Sequence, residues 1–228
     1  MDIGVPYRDL GAIDVSGLTA LVAGLDDAAW NRNTFRQEAL AAKNHEASRA
    51  IVYWHEWDIQ ANSLGFPYME QLVARWARAK GLPLAPFLPV EAIVTDMGRV
   101  YAFPDWLGVR DVMTPVIEQV VERLGCGRAV VTRLALVSLA PKVKITPHVD
   151  GQPMATKAHR IHIALTDSPK VTYRIGSRDF TMKRGHAYDF NNRRKHAVEN
   201  RGDNDRVNLF LDVYPNPAFS MRADVLSV

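Results

Sequence analysis

The strongest constraint on this chain lies after Gly127. Six β-rich runs follow one another there with short breaks and no helical periodicity between them: Val130–Leu139, Val143–Asp150, Arg160–Thr166, Val171–Ile175, His186–Phe190 and Val207–Tyr214. Strands at this spacing predict an antiparallel sandwich or barrel. Two runs alternate cleanly. Ile161, Ile163 and Leu165 line one face, with Arg160 and His162 on the other. Val207, Leu209, Leu211 and Val213 share a face, opposite Arg206, Asn208, Phe210 and Asp212. A sheet with one solvated face fits this parity, and so does a two-sheet structure whose polar face lines a pocket. In the pocket case arginine suits an anion, because its fork pairs bidentately with a carboxylate.

The first half reads as helices interrupted by loops. Leu18, Leu21, Val22 and Leu25 recur at helical spacing after Asp14 or Ser16 as N-cap. A helix is expected over Tyr68–Lys80, stopped by Gly81 and Pro83, and another over Asp111–Leu124, ended by Gly125. Ser48–Trp57 reads as a strand, since Ile51, Val52, Tyr53, Trp54 and Trp57 crowd together. The expectation is a mainly β protein with a helical N-terminal layer (1–127), a core over 128–217 and a tail (218–228), all in one domain. Composition narrows the class. A formal charge of +3 is too small to argue for nucleic acid. One cysteine, Cys126, excludes a disulfide framework and a thiolate cluster, and suits a reducing compartment. No apolar run approaches the ~18 residues of a membrane span, and the N-terminus has no signal pattern, so a cytoplasmic protein is expected.

Chemistry concentrates around Pro147-His148-Val149-Asp150. On a strand His148 and Asp150 would share a face and could take adjacent sites on a divalent metal. A distal histidine, His196, would complete a 2-His-1-carboxylate set with coordination positions left open. Taken alone, H-x-D reads more readily as a surface turn pair.

The full order resembles the aspartyl/asparaginyl β-hydroxylase family: H-x-D at 148–150, R-x-H at 160–162, then His196 followed ten positions later by Arg206. Within it the arrangement looks most like the bacterial proline cis-4-hydroxylase type of Fe(II)/2-oxoglutarate oxygenase, because Asp150 stands where the aspartyl branch lacks a metal carboxylate. The resemblance spans Val130–Pro215, including Gly185–Phe190. It implies a double-stranded β-helix (jelly roll, cupin-like) core and three reactants besides substrate: Fe(II), 2-oxoglutarate and O2. His148, Asp150 and His196 would be the iron ligands. Arg206 would hold the distal carboxylate of 2-oxoglutarate with Ser138 as hydroxyl partner, and Arg160 and His162 would also touch the cosubstrate. The implied substrate is a small-molecule amino acid or a peptide, hydroxylated at an unactivated carbon with release of succinate and CO2.

Substrate contacts are sought at Trp54, His55 and Trp57, whose plainer role is core packing. Gln152 lies on the loop leaving Asp150, Tyr188 on the aromatic face of its strand, and Asn208 beside Arg206. His186 is a weak alternative ligand, and His159, out of phase with His162, is expected to be exposed. Two other readings stand. A cupin-like zinc hydrolase would use the same ligands but leave the arginines without a task. A non-catalytic metal-binding module would use the basic run Arg193–Lys195 for an acidic partner, although such a run is ordinarily a solvated loop.

Overall fold

A computed structural model of the chain describes residues 1–38, 48–58, 67–95, 98–151 and 153–215. The strands are β1 (Tyr7–Ala12), β2 (Ser48–Asp58), β3 (Glu91–Thr95), β4 (Gly98–Ala102), β5 (Ala129–Leu139), β6 (Lys144–His148), β7 (His159–Ala164), β8 (Val171–Ile175), β9 (Arg178–Phe180), β10 (His186–Phe190), β11 (His196–Asn200) and β12 (Arg206–Pro215). The helices are α1 (Ser16–Ala23), α2 (Asp27–Asn31), α3 (Phe35–Glu38), α4 (Pro67–Lys80) and α5 (Arg110–Leu124).

Eight strands form one sheet in the order β1-β10-β7-β12-β5-β2-β4-β3, and four form a second in the order β6-β11-β8-β9. The eight consecutive strands β5 to β12 pass repeatedly from one sheet to the other. That winding is the expected double-stranded β-helix.

Parity decides which face is which. Ile161, Ile163, Leu209, Leu211 and Val213 are almost completely buried, in one cluster with Leu134 and Leu136 of β5. Met113, Val116, Ile117, Val120 and Val121 of α5 and Leu18 of α1 cover that face. The spacing in α5 therefore produces the stripe that the sheet needs. Gly125, at φ 65° in the left-handed region, ends the helix where predicted. Cys126 packs against the same core.

The N-terminal half supplies strands as well as helices, and the expected strand from Ser48 is β2. β1 to β4 extend the large sheet at both edges, β1 against β10 and β2 against β5. β1 is held partly by charge: buried Asp189 on β10 accepts hydrogen bonds from Arg8 (2.5 Å) and His159 (2.9 Å). His159 is thus a half-buried partner of Asp189 and not the exposed residue its phase suggested.

Candidate active site

The opposite face of the large sheet and the facing side of the small sheet enclose a cavity of about 320 Å³. One end of it, around His148, Asp150 and His196, is built by two neighbouring strands. His148 ends β6, His196 begins β11, and the two residues are direct cross-strand partners with ring centroids 4.3 Å apart. The expected strand through Asp150 stops at His148, and Asp150 lies two residues beyond, its N–H donating to the Asn192 carbonyl at 3.3 Å. Asp150 nonetheless reaches both rings: Oδ1 is 3.7 Å from His148 Nε2 and Oδ2 is 3.7 Å from His196 Nε2. Each Nδ1–H donates to a backbone carbonyl, His148 to Thr146 (2.9 Å) and His196 to Arg194 (3.0 Å). That fixes the tautomer and leaves both Nε2 lone pairs directed at the carboxylate, the arrangement usual for metal-ligating histidines. The three donor groups lie within 4.8 Å of one another.

Burial and charge set the protonation of these groups. Burial pushes the Asp150 carboxyl up, but Arg160, His196 and His148 outweigh it, so its pKa falls below the ordinary carboxylate value. Burial holds His196 below its ordinary value despite Asp150. A carboxylate and a neutral imidazole are the forms a divalent metal takes up.

Arg160 links this end to the large sheet. Its Nε and Nη2 donate to the two oxygens of Asp212 at 2.9 and 2.6 Å, and its Nη1 donates to Asp150. Arg133 of β5 follows in the same row, with Nε 2.5 Å from Glu56 and 3.9 Å from Asp212. Burial pushes the Glu56 carboxyl up despite Arg133. Sequence reasoning placed Asp212 on the correct face without assigning it a role, and it missed Arg133. A lone arginine in the apolar run Ala129–Leu139 was the available signal.

At the other end of the cavity stands a buried cation, Arg206. Arg206 is 3% exposed, its Nε has no acceptor, and no ion pair among the described residues takes up its charge. Its guanidinium lies over the Tyr173 ring at 5.7 Å. Asn208 stands behind Tyr173, donating Nδ2–H to the phenol oxygen at 3.0 Å, and does not line the cavity. His162 does line it, with its ring 4.4 Å from Phe190 and 5.3 Å from Phe210. Burial, then Arg160 and Arg206, hold His162 well below 6.5, so it is a neutral imidazole whose Nδ1 has no partner.

Ser138 is not brought to Arg206. Its hydroxyl donates to Asp205 at 2.7 Å. Because Leu139 and not Ser138 pairs with Arg206, Ser138 projects from the opposite face. Ser48 shares the face of Arg206: it also pairs with Leu139, which stands between the two, is buried, and lines the cavity. Only strand pairing across 91 residues of sequence reveals it.

The remaining candidates separate. Trp54 and His55 line the cavity. Trp54 also packs edge-on against Trp106 at 5.3 Å, as core packing required. The side chain of Trp57, and Gln152 altogether, lie outside the described residues. Tyr188 packs away from the cavity with Tyr7 and Phe180, accepting the Lys183 N–H at 3.1 Å. His186 pairs with Asp9 at 3.1 Å, far from a ligand role. The basic run is not simply solvated: Arg193 donates to the Asp150 carbonyl at 2.8 Å and Arg194 to the Gly4 carbonyl at 2.9 Å.

Residues 107–215 match the family described as aspartyl/asparaginyl beta-hydroxylase. Among solved structures, a 2OG-Fe(II) oxygenase family oxidoreductase from Burkholderia pseudomallei is 14% identical, with a TM-score of 0.42 over 64% of this chain and 91% of that one. The non-heme monooxygenase ThoJ in complex with nickel is 17% identical, with a TM-score of 0.38 over 78% and 77%. A predicted oxalate decarboxylase from Thermotoga maritima is 16% identical, with a TM-score of 0.29 over 41% and 73%. No curated protein matches the chain closely.

Proposed function

We propose, from the match of residues 107–215 to the aspartyl/asparaginyl β-hydroxylase family, that the chain is an Fe(II)/2-oxoglutarate-dependent hydroxylase of a free or peptidyl amino acid. The observation that carries the proposal is one cavity holding two unlike requirements. At one end stand two imidazole nitrogens and a carboxylate; at the other stands Arg206, buried and without an anion among the described residues.

The residues fit the absent groups. His148, Asp150 and His196 would hold the metal, and a nitrogen/oxygen set of this kind leaves positions open for a chelating cosubstrate. Bound together, Fe(II), 2-oxoglutarate and O2 supply the oxidation of an unactivated C–H bond, with succinate and CO2 as coproducts. The chain's own work is positional. Arg206 binds and orients the distal carboxylate, with Tyr173 fixed beneath it by Asn208. Neutral His162 offers a hydrogen bond without adding charge. Val52, Ala135, Val137, Ile145, Val198 and Phe210 form apolar walls that keep water from the reacting centre. The substrate would lie toward Trp54, His55 and Arg133, the part of the wall not used by metal or cosubstrate.

A zinc hydrolase would leave a buried arginine unpaired. A partner-binding module would need cations that are already tied to the Asp150 and Gly4 carbonyls. The test is spectroscopic. Anaerobic Fe(II) with 2-oxoglutarate is expected to give a weak visible charge-transfer band, and a screen of free amino acids by succinate release then finds the substrate. A silent spectrum with stoichiometric zinc in the purified protein would overturn the proposal.

A further inference from the structure

Asp150 sits past the end of β6, so no cross-strand neighbour restrains its side chain. Its orientation must come from what its oxygens touch. The two imidazoles approach from the small sheet. From the large sheet, among the described residues, Arg160 is the side chain that hydrogen-bonds the carboxylate, and Arg160 does not stand alone.

Asp212, 1% exposed, takes Nε and Nη2 of Arg160 on its two oxygens, at 2.9 and 2.6 Å. That grip holds one edge of the planar fork and leaves Nη1 directed at Asp150. Arg160 and Asp212 are cross-strand partners on β7 and β12, and Arg133 on β5 pairs with Asp212 from the other side. Three strands of the large sheet thus present one rigid row of charge to the metal ligand.

We infer that Asp212 is a positioning residue for the metal site: through Arg160 it fixes the Asp150 carboxylate in its ligating orientation across the gap between the sheets. The inference rests on the proposed function only for the metal site and requires nothing of 2-oxoglutarate.

The test titrates metal-free protein with Co(II) alone and follows thermal unfolding in parallel. Asp212→Asn is expected to weaken Co(II) binding by about ten- to a hundredfold, the usual cost of losing the group behind a ligand. Glu56→Gln removes a buried carboxylate one arginine further from the metal and is expected to leave binding near wild type. Asp212→Asn also leaves Arg160 under-paired, so the neutral pair Arg160→Met/Asp212→Leu is made as well. It is expected to restore thermal stability while Co(II) binding stays weak. Wild-type binding in Asp212→Asn, an equal loss in Glu56→Gln, or recovery of binding together with stability in the double variant would each overturn the inference. Because the probe is the metal alone, a missing 2-oxoglutarate band would count against the proposed function and leave this result standing.

Discussion

Two side chains on the cavity face carry separable predictions. Arg206 is buried without an anion among the described residues, so in the proposed complex its removal would strand a desolvated carboxylate. Truncating one member of such a pair costs about 2–5 kcal/mol, roughly thirty- to several-thousandfold in affinity. Arg206→Met is therefore expected to raise the KM for 2-oxoglutarate by at least about thirtyfold with metal content unchanged. Arg193 is unsuitable as the control because it touches the Asp150 carbonyl. Arg174, an exposed partner of Asp179, serves instead, and Arg174→Met should leave KM near wild type. Equal effects would reduce the clamp to generic attraction. His162 makes its own prediction through pH. Its folded pKa lies well below 6.5, so below that pH the unfolded chain binds the additional proton. Stability of the metal-free protein then falls as pH drops through 6.5, by up to about 1.4 kcal/mol per pH unit from this group. His196 adds a slope of the same sign. Denaturation midpoints of wild type and His162→Gln from about pH 7.5 to 5 check it; identical slopes would mean that His162 is not a buried neutral group.

At the scale of elements, β12 separates stability from binding by alternation. Leu209 faces the helices in the buried core, while Arg206 faces the cavity. Leu209→Ala is expected to lose about 2–5 kcal/mol, as for other fully buried leucines, without raising the KM for 2-oxoglutarate. Chemical denaturation and KM measured on that variant and on Arg206→Met should show opposite patterns; parallel losses would mean that the two faces are not independent. The same alternation explains what was legible in the sequence. β12 and β7 could be read residue by residue because a buried aliphatic face leaves a period-2 signature. β9, only Arg178–Phe180, is too short for any period, and β11 spells His-Ala-Val-Glu-Asn without a β-rich run. β1 is broken at a bulge between Asp9 and Gly11. These strands exist because partners far away in sequence pair with them. The site divides likewise: His148, Asp150, His196 and Arg206 were legible as a spaced motif. Ser48 and the Arg160–Asp212–Arg133 row depend on register, and Ser138 failed by a single residue of it.

For the whole molecule, what matters is which sheet supplies what. His148, Asp150 and His196 all belong to the small sheet or the loop leaving it, whereas Arg206 lies on β12 of the large one. A metal held by these three groups alone would therefore staple neighbouring strands within one sheet. A cosubstrate held at the metal and at Arg206 would bridge both. Without metal, 2-oxoglutarate retains only its Arg206 end; without 2-oxoglutarate, the metal leaves Arg206 unpaired. Their contributions to stability should be coupled. A ligand at a hundred times its Kd stabilises by about 2.7 kcal/mol, and in a chain of this size each kcal/mol moves Tm by roughly 2–4 °C. The shift from 2-oxoglutarate in metal-loaded protein is then expected to reach roughly 5–11 °C, and to be much smaller after chelation. Anaerobic thermal unfolding in four states checks it: metal-free or Co(II)-loaded, each with and without 2-oxoglutarate. In Arg206→Met the Co(II) shift should persist while the additional shift from 2-oxoglutarate shrinks. Strictly additive shifts in the wild type would mean that metal and cosubstrate occupy independent sites, and the bridge between the sheets would have to be given up.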